Sequence, residues 1–501
     1  IETNWLTRFY EDKTNVHVNW TGAPDNQFKE KLNLALAAGE PIDLVINGGS
    51  AVQYSRTDFL KFAEQQLIVP IQDYIETDTI YLKKGLNEIE GLRDVSTAPD
   101  GSIYYFPQSP PVGHWTCYGK LWVNTLFLKN VGLGIPTTTD EFRTMLIAFR
   151  DKDANGNGDP NDELPLVGAV DAWWTPKVDP FIMSAFIIDD GENRLFLKDG
   201  KVTAAYTQPE FREGLRYLRQ LYAEKLIYPD SFTMDQDARN KLGSTKYESI
   251  IGAAPNGHHW GFGVREEGEP VRWNEYEPIK PLIGPKGVQT TRYDYYPSNE
   301  ANAAWLPATC KNPALIARWI DWFYTDEGII AIGYGGKGIS WTDADPGTTG
   351  AYGWPAKIKP IVLKPGDPYY NNDTWRNGLP NFPTQEFRNL IAVPEDMYAP
   401  DGTGLERLLW TKTRDNYLPY AQPIDTIVPP LWYNAADAGT IAMLTTNINT
   451  YVEESIAKFI TGQLNIETDW DRFQSQLKAL GIDQYLKIQQ DTYNKSPFVK
   501  K

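Results

Sequence analysis

The sequence predicts an α/β protein of two lobes. Three observations lead there. Strand-like and helix-like segments alternate through the first third, and the 501-residue length exceeds what a single core usually serves. The third is an apolar run over residues 42–46 (IDLVI), interrupted only by Asp43, that ends in Asn47-Gly48-Gly49. Such a run reads as a buried parallel strand with a loop at its carboxyl end, the edge where open α/β sheets bind ligands. The same glycines also suit plain turn chemistry.

The elements follow in order. Residues 16–20 read as a short strand, and Phe28, Leu32, Ala35 and Leu36 mark one face of a helix that Gly39 ends. Residues 103–107 (IYYFP) form a strand, a Pro-rich stretch follows at 109–111, and 118–124 (YGKLWVN) form the next strand. A helix opened by Thr139 as N-cap turns Phe142, Leu146 and Phe149 inward. Residues 164–170 read as a strand, 211–222 as an amphipathic helix, and 249–254 as a short strand ending in Asn256-Gly257-His258-His259-Trp260. After a strand over 303–309, Asn312-Pro313 starts a long helix through Trp319 and Phe323 to Ile332. Residues 333–380, rich in Gly, Pro and Trp, wrap the surface, and helices return over 441–461 and 470–480.

Residues 151–165 read DKDANGNGDPNDELP and carry the most chemistry in the chain. A hard cation such as Ca²⁺ takes roughly six to eight oxygen ligands at about 2.3–2.6 Å. A tight loop that turns every second oxygen inward supplies them, and Gly156 and Gly158 permit its backbone angles. Counting from Asp151 gives the EF-hand pattern except for Asp162 at its last position. Counting from Asp153 gives Asp153, Asn155, Asn157, the Asp159 carbonyl, Asp162 and Glu163. The alternative is a solvated acidic loop that binds nothing. An ion here would sit at a helix C-terminus, where the macrodipole favours positive charge.

Composition narrows the function. Aromatics make up 13% of the chain, with 17 Trp and 28 Tyr, more than a core of this size needs. Their flat apolar faces and polar edges suit stacking on sugars or bases. A net charge of −17 argues against nucleic acid, whose binders need basic stripes, but not against an anionic small ligand in a locally positive pocket. No apolar run reaches the length of about eighteen residues that a membrane span needs. Cys117 and Cys310 form no zinc pattern, and either a disulfide or two buried thiols fits them. The chain begins Ile1-Glu2-Thr3 without Met, as a processed or trimmed chain would, so a signal peptide or lipid-anchor cysteine would lie upstream.

In sequence order, QFKEKLNLALAAGEPIDLVI, APDGSIYYFP at 98–107, LWVNTLFLKNVGLGIPTTTDEF at 121–142 and the loop DKDANGNGDPNDELPL form a set. AAWLPATCKNPALIARWIDWFY from 303 and GKGISW at 336–341 complete it. The set resembles the extracellular solute-binding proteins of carbohydrate ABC importers, in the large lipoprotein-type branch that includes alginate-oligosaccharide-binding proteins. The resemblance covers nearly the whole chain, and the calcium loop is its most specific motif.

What the resemblance implies is a periplasmic-binding-protein-like fold with a hinge and a sugar held in the interlobe cleft. Residues 1–115 with 306–355 would form the first lobe, and 116–305 with 356–501 the second. Crossings would fall near 113–119, near 302–310 and after Gly335, so both cysteines lie at crossings. It assigns structural Ca²⁺ to the second register: Asp153, Asn155, Asn157, Asp159, Asp162 and Glu163. One extra residue between Gly158 and Asp162 departs from the family loop and puts Asp162 and Glu163 in question. For the ligand it points to Trp260 as a stacking ring and Gln108 at the cleft rim. Trp173-Trp174, Asn47, His259, Trp341 and Trp432-Tyr433 are further candidates, with packing as the alternative for each. Trp305, Trp319 and Trp322 belong to the core. Partners would be an oligosaccharide, neutral or anionic, and permease subunits; the carrier would be an extracellular, lipid-anchored or periplasmic monomer. Arg376, Arg407 or Lys120 could meet an anionic sugar.

A polysaccharide-degrading hydrolase or lyase is the alternative. It needs two carboxylates about 5–9.5 Å apart with split pKa values. Glu300 and Asp294 can be named, yet no motif singles out a pair, and four histidines leave little for acid–base work. A calcium-dependent adhesin would show all-β repeats instead of strand–helix alternation.

Overall fold

The computed structural model describes residues 2–47, 54–108, 112–170, 175–244, 248–259, 262–263, 272–296, 302–375, 380–382, 384–399 and 402–499. Two three-stranded sheets organise it. In the first, Asn302–Trp305 is central and antiparallel to both Val45–Ile46 and Phe106–Pro107. In the second, Leu121–Asn124 is central and antiparallel to Ala253–Pro255 and Tyr276–Pro278. The strand expected at 42–46 is therefore two residues long, and its hydrogen-bonded partner is antiparallel; it runs parallel only to Phe106–Pro107, across the central strand.

Around the first sheet, helices Trp5–Thr14, Tyr81–Glu88, Pro313–Asp321 and Asp326–Tyr334 bury Leu6, Tyr10, Leu82, Trp319 and Phe323. Tyr81–Glu88 begins without a cap of its own. Buried Asp321 supplies one from another helix, accepting from the N–H groups of Ile80, Tyr81 and Leu82 at 2.8, 3.0 and 2.8 Å. A negative charge at a helix N-terminus satisfies orphan donors and meets the positive end of the dipole. Trp305 is wholly buried and Trp322 stacks on Tyr10 at 4.2 Å, as strand and helix faces predict.

Around the second sheet, Thr125–Val131, Thr139–Asp151, Pro209–Ala223, Ala435–Thr461, Trp470–Ala479 and Ile482–Lys495 pack with a hairpin of Leu195–Lys198 and Lys201–Ala204 into the larger core. Arg194, 1% exposed, is held inside it by Asp179, Asp189 and Glu453.

Several local expectations are corrected. Residues 16–20 form no strand. Thr138, not Thr139, caps its helix, in a reciprocal box with Glu141. The expected helix to Ile332 breaks at Thr325, whose hydroxyl accepts from Gly328 N–H and starts a new one. Residues 164–170 make only isolated bridges, Leu164 to Ile251 and Leu166 to Ile227. Cys117 and Cys310 are both buried free thiols.

The strand Asn302–Trp305 lies in the first sheet, while Trp375, Phe382 and Phe498 pack against the first lobe's core. Trp432 joins the cluster of Tyr54, Phe59 and Trp305. The chain passes between the sheets through the turn Gly113–Cys117. Gly113 has φ +60°, and a Cβ there would collide with the Tyr352 hydroxyl, so this crossing requires glycine.

Candidate functional site

In the first sheet Ile46 and Phe106 both pair with Ala304, so the chain leaves both outer strands at the same edge. Asn47 and Gln108 sit there, Asn47 only 2% exposed and Gln108 half-buried. Two polar residues from separate strands thus emerge at one edge, on either side of the central strand.

The second sheet presents an edge of its own. Leu121 pairs with Pro255, which sets Lys120 beside Asn256, and Asn256 N–H donates to the Lys120 carbonyl at 2.9 Å. Asn256 is fixed from three sides. Its carbonyl accepts from Trp122 Nε1 at 2.9 Å, its Oδ1 accepts from Arg239 Nη2 at 3.0 Å, and its Nδ2 donates to the His258 carbonyl at 2.7 Å. Arg239 is wholly buried and also donates to the Pro255 carbonyl. Burial pulls its pKa down to about 10. Lys120 donates to the Cys117 carbonyl at 2.6 Å and lies 5.2 Å from the Tyr417 ring, and burial lowers it to about 8. The backbone that leads into residue 260 is therefore anchored by buried cations and an indole.

His259 does not reach this edge. It is 0% exposed, stacked on Trp273 at 4.5 Å and edge-on to Trp122 at 6.0 Å. Burial drives its pKa well below the usual range. The neutral ring packs between the Trp273 and Trp122 indoles. His258, 6% exposed, is lowered to about 4, chiefly by burial.

Between the two edges the crossing turn carries His114 and Trp115. His114 Nδ1 lies 3.4 Å from Glu406 Oε1, to which Arg388 donates through Nη2 at 2.6 Å and Nε at 2.9 Å. The Arg388 guanidinium sits 5.7 Å from the Trp115 ring centroid. Burial lowers the pKa of His114, so the ring is neutral near neutrality. Burial would raise Glu406, but the basic groups beside it outweigh that and hold it well below the carboxylate range. With His114 neutral, Arg388 is the cation responsible. Sequence reasoning missed this group, since its members meet only through tertiary packing.

The other candidates are dispersed. Trp341 is half-buried, donates to the Gly335 carbonyl at 2.9 Å and lines a cavity of about 230 Å³ with Tyr334, Tyr370 and Asp373. Trp432 is 9% exposed, donates to the Val95 carbonyl at 2.8 Å and stacks on Tyr105. Tyr433 donates to Gln489. Trp173, Trp174, Trp260, Glu300 and Arg376 lie outside the described residues. Arg407 is spent on the carbonyls of Val393, Pro394 and Thr349, and Asp294 on Arg292.

In the loop after Thr139–Asp151, Asp153 accepts from the N–H groups of Gly156 and Gly158 at 2.8 and 2.9 Å. Asn155 and Asn157 both turn their Nδ2 toward Asp162, at 3.1 and 2.7 Å. Asn157 Oδ1 accepts from Asp159 N–H at 2.8 Å, and Glu163 Oε1 accepts from Ala154 and Asn155 N–H. Glu163 Oε2 is buried without a partner, and burial raises that carboxyl's pKa. Among the described residues no three acidic, His or Cys side chains converge as a metal cage. The donors are nonetheless all hard oxygens in one loop, and the orphaned Oε2 marks an unmet demand for a cation or proton, so the residues fit Ca²⁺ chemically.

A family model for bacterial extracellular solute-binding proteins matches residues 2–330. A fructooligosaccharide ABC transporter substrate-binding protein of Streptococcus pneumoniae, FusA, is 27% identical over 97% of this chain and 85% of its own length. Its structure in complex with kestose superposes with TM-score 0.77 at 25% identity, covering 99% of this chain and 96% of that one. A further structure of FusA is of an EF-hand mutant. Lipoprotein LipO of Bacillus subtilis is 27% identical over 56% of this chain and 52% of its own length. Alginate-binding AlgQ2, at 19% identity and TM-score 0.69 over 99% of this chain and 95% of its own, shares the fold.

Proposed function

The chain belongs to the bacterial extracellular solute-binding proteins, and from that premise we propose that it captures a neutral, fructose-containing oligosaccharide between its lobes and delivers it to an ABC permease. It is a carrier and not an enzyme. One observation carries the reading: each sheet ends in an edge of polar residues, Asn47 with Gln108 and Lys120 with Asn256, the chain passes from one sheet to the other through the turn of His114 and Trp115, and the whole follows the fold of a kestose-bound relative. Closure of the lobes would bury a sugar between them, with the closed state favoured by contacts it alone makes.

Charge supports a neutral ligand over a uronate. Lys120 and Arg239 are spent on protein carbonyls and amides, and Arg388 on Glu406. Recruiting any of them to an anionic sugar would strand the protein acceptor it now serves. Trp260, Trp173 and Trp174 remain the proposed stacking rings, each contributing roughly 1 to 3 kcal/mol by analogy with other aromatic stacking. Two or three such rings with hydrogen bonds give about micromolar affinity.

We assign the loop at 151–165 to a structural Ca²⁺ held by Asp153, Asn155, Asn157, the Asp159 carbonyl, Asp162 and Glu163. Turning the Asn155 and Asn157 amides over would bring Oδ1 where Nδ2 now faces Asp162, and the ion itself would give Glu163 Oε2 its missing partner. The ion would stiffen the second lobe. A lipid anchor upstream of the chain is proposed from the likeness to LipO.

Calorimetric titration with kestose and with a uronate trisaccharide tests the ligand class, with mass spectrometry of the recovered sugar. Kestose should bind and return intact while the uronate stays silent. Preferential uronate binding overturns the neutral-ligand reading, and cleaved products overturn the carrier reading.

A further inference from the structure

A groove of about 600 Å³ lies between the hairpin at 195–204, the turn Ile424–Thr426 and the end of helix Ile482–Lys495. None of its lining residues belongs to the two sheet edges above. Its floor is apolar, from buried Phe196 and Leu197. One wall is aromatic: Tyr493, Tyr296 and Phe498 are each half-buried, and Tyr296 meets Phe498 edge to face at 4.9 Å. The rim carries Lys198, Asp199, Glu210 and Asp425, and among the described residues none of the four makes an ion pair.

Glu210 and Asp425 offer four carboxylate oxygens with no protein donor to serve, opposite ring faces that keep part of their area open. That pairing matches a sugar, whose hydroxyls donate in adjacent pairs and whose C–H faces lie flat on rings. The volume is that of a small-ligand pocket. Three acids against one lysine disfavour phosphates, uronates and nucleotides. An apolar partner would leave both carboxylates desolvated and unpaired.

We propose that this groove is a second glycan site, which takes a neutral oligosaccharide segment apart from the transport cleft. It goes beyond the carrier reading and borrows from it only the choice of probe. With partly exposed rings, binding is weak, in the millimolar range, and serves to keep a longer glycan at the carrier's surface.

Hydrogen–deuterium exchange with kestose and with an inulin oligomer, each at millimolar concentration, tests it in the full chain. Protection should appear across 196–200, 424–426 and 493–499, and the double variant Glu210→Ala/Asp425→Ala should lose most of it while kestose affinity in the cleft stays within about twofold. Both substitutions remove surface side chains that hold no ion pair, and a melting curve confirms folding. Protection confined to residues near the two sheet edges overturns this inference and leaves the carrier intact. Groove protection without any near the edges supports the inference and sinks the cleft reading. No protection anywhere overturns both, and groove protection unchanged in the variant overturns the assigned carboxylate contacts and with them the proposal.

Discussion

Lowering the pH from 7 to 5 should remove the stability that histidines folded in their neutral form contribute. His258 carries the clearest magnitude. It is 6% exposed and burial lowers it to about 4, against an ordinary value near 6.5 in the unfolded chain. The folded value lies below the unfolded one, so the unfolded state binds the extra proton first. The contribution is complete above about pH 6.5 and is lost as pH falls toward 4. By pH 5 the unfolded ring is almost wholly protonated and the folded one is not, which costs about 2 kcal/mol. His114 and His259, shifted in the same direction by the same cause, add to it. Urea unfolding at both pH values, with calcium in excess, measures the loss, and His258→Gln supplies the control. That variant can be weaker at pH 7, but its loss between pH 7 and 5 should shrink by about 2 kcal/mol. Equal losses in variant and parent would refute the assignment of a buried neutral ring.

Three other perturbations separate the parts of the account. Trp260→Ala should weaken kestose binding about tenfold or more with little change in melting temperature, whereas a large thermal loss would put that indole in the core. Chelating calcium should lower the melting temperature and touch affinity only indirectly, and Asp162→Ala should abolish the response; a parent indifferent to chelator would leave the loop without its ion. Glu406→Gln removes the counter-charge of Arg388, whose partner is 29% exposed, and should cost about 1 to 2 kcal/mol in urea unfolding. Pairing it with Arg388→Met should recover part of that loss.

Much of the frame was legible because it is local. Gly39 ends Asp25–Ala38 in the left-handed conformation, and Ile46 and Phe106 each hand over to a polar residue at one edge. The oxygens of 151–163 are contiguous, so their loop could be read without knowing anything distant. Two misreadings had local signals that went unused: Thr325-Asp326-Glu327 is an N-cap followed by acids, and Thr138 with Glu141 is a capping box. The site was less legible. His258-His259 reads as a cleft or packing pair after a strand, and only packing against Trp273 and Trp122 decides that the second ring is core. Trp432 looked like a loop indole, and its place beside Tyr105 depends on a chain segment more than three hundred residues earlier. Asp321 capping Tyr81–Glu88 and Arg388 meeting Glu406 at the crossing have no periodicity or spacing to betray them. Long-range polar contacts of this kind are set by how the lobes pack.

Small-angle scattering with and without saturating kestose probes hinged capture most directly. A carrier that closes on its sugar should contract, with a smaller radius of gyration and a shorter maximum dimension in the complex. Identical profiles at a kestose concentration where calorimetry shows full occupancy would contradict it.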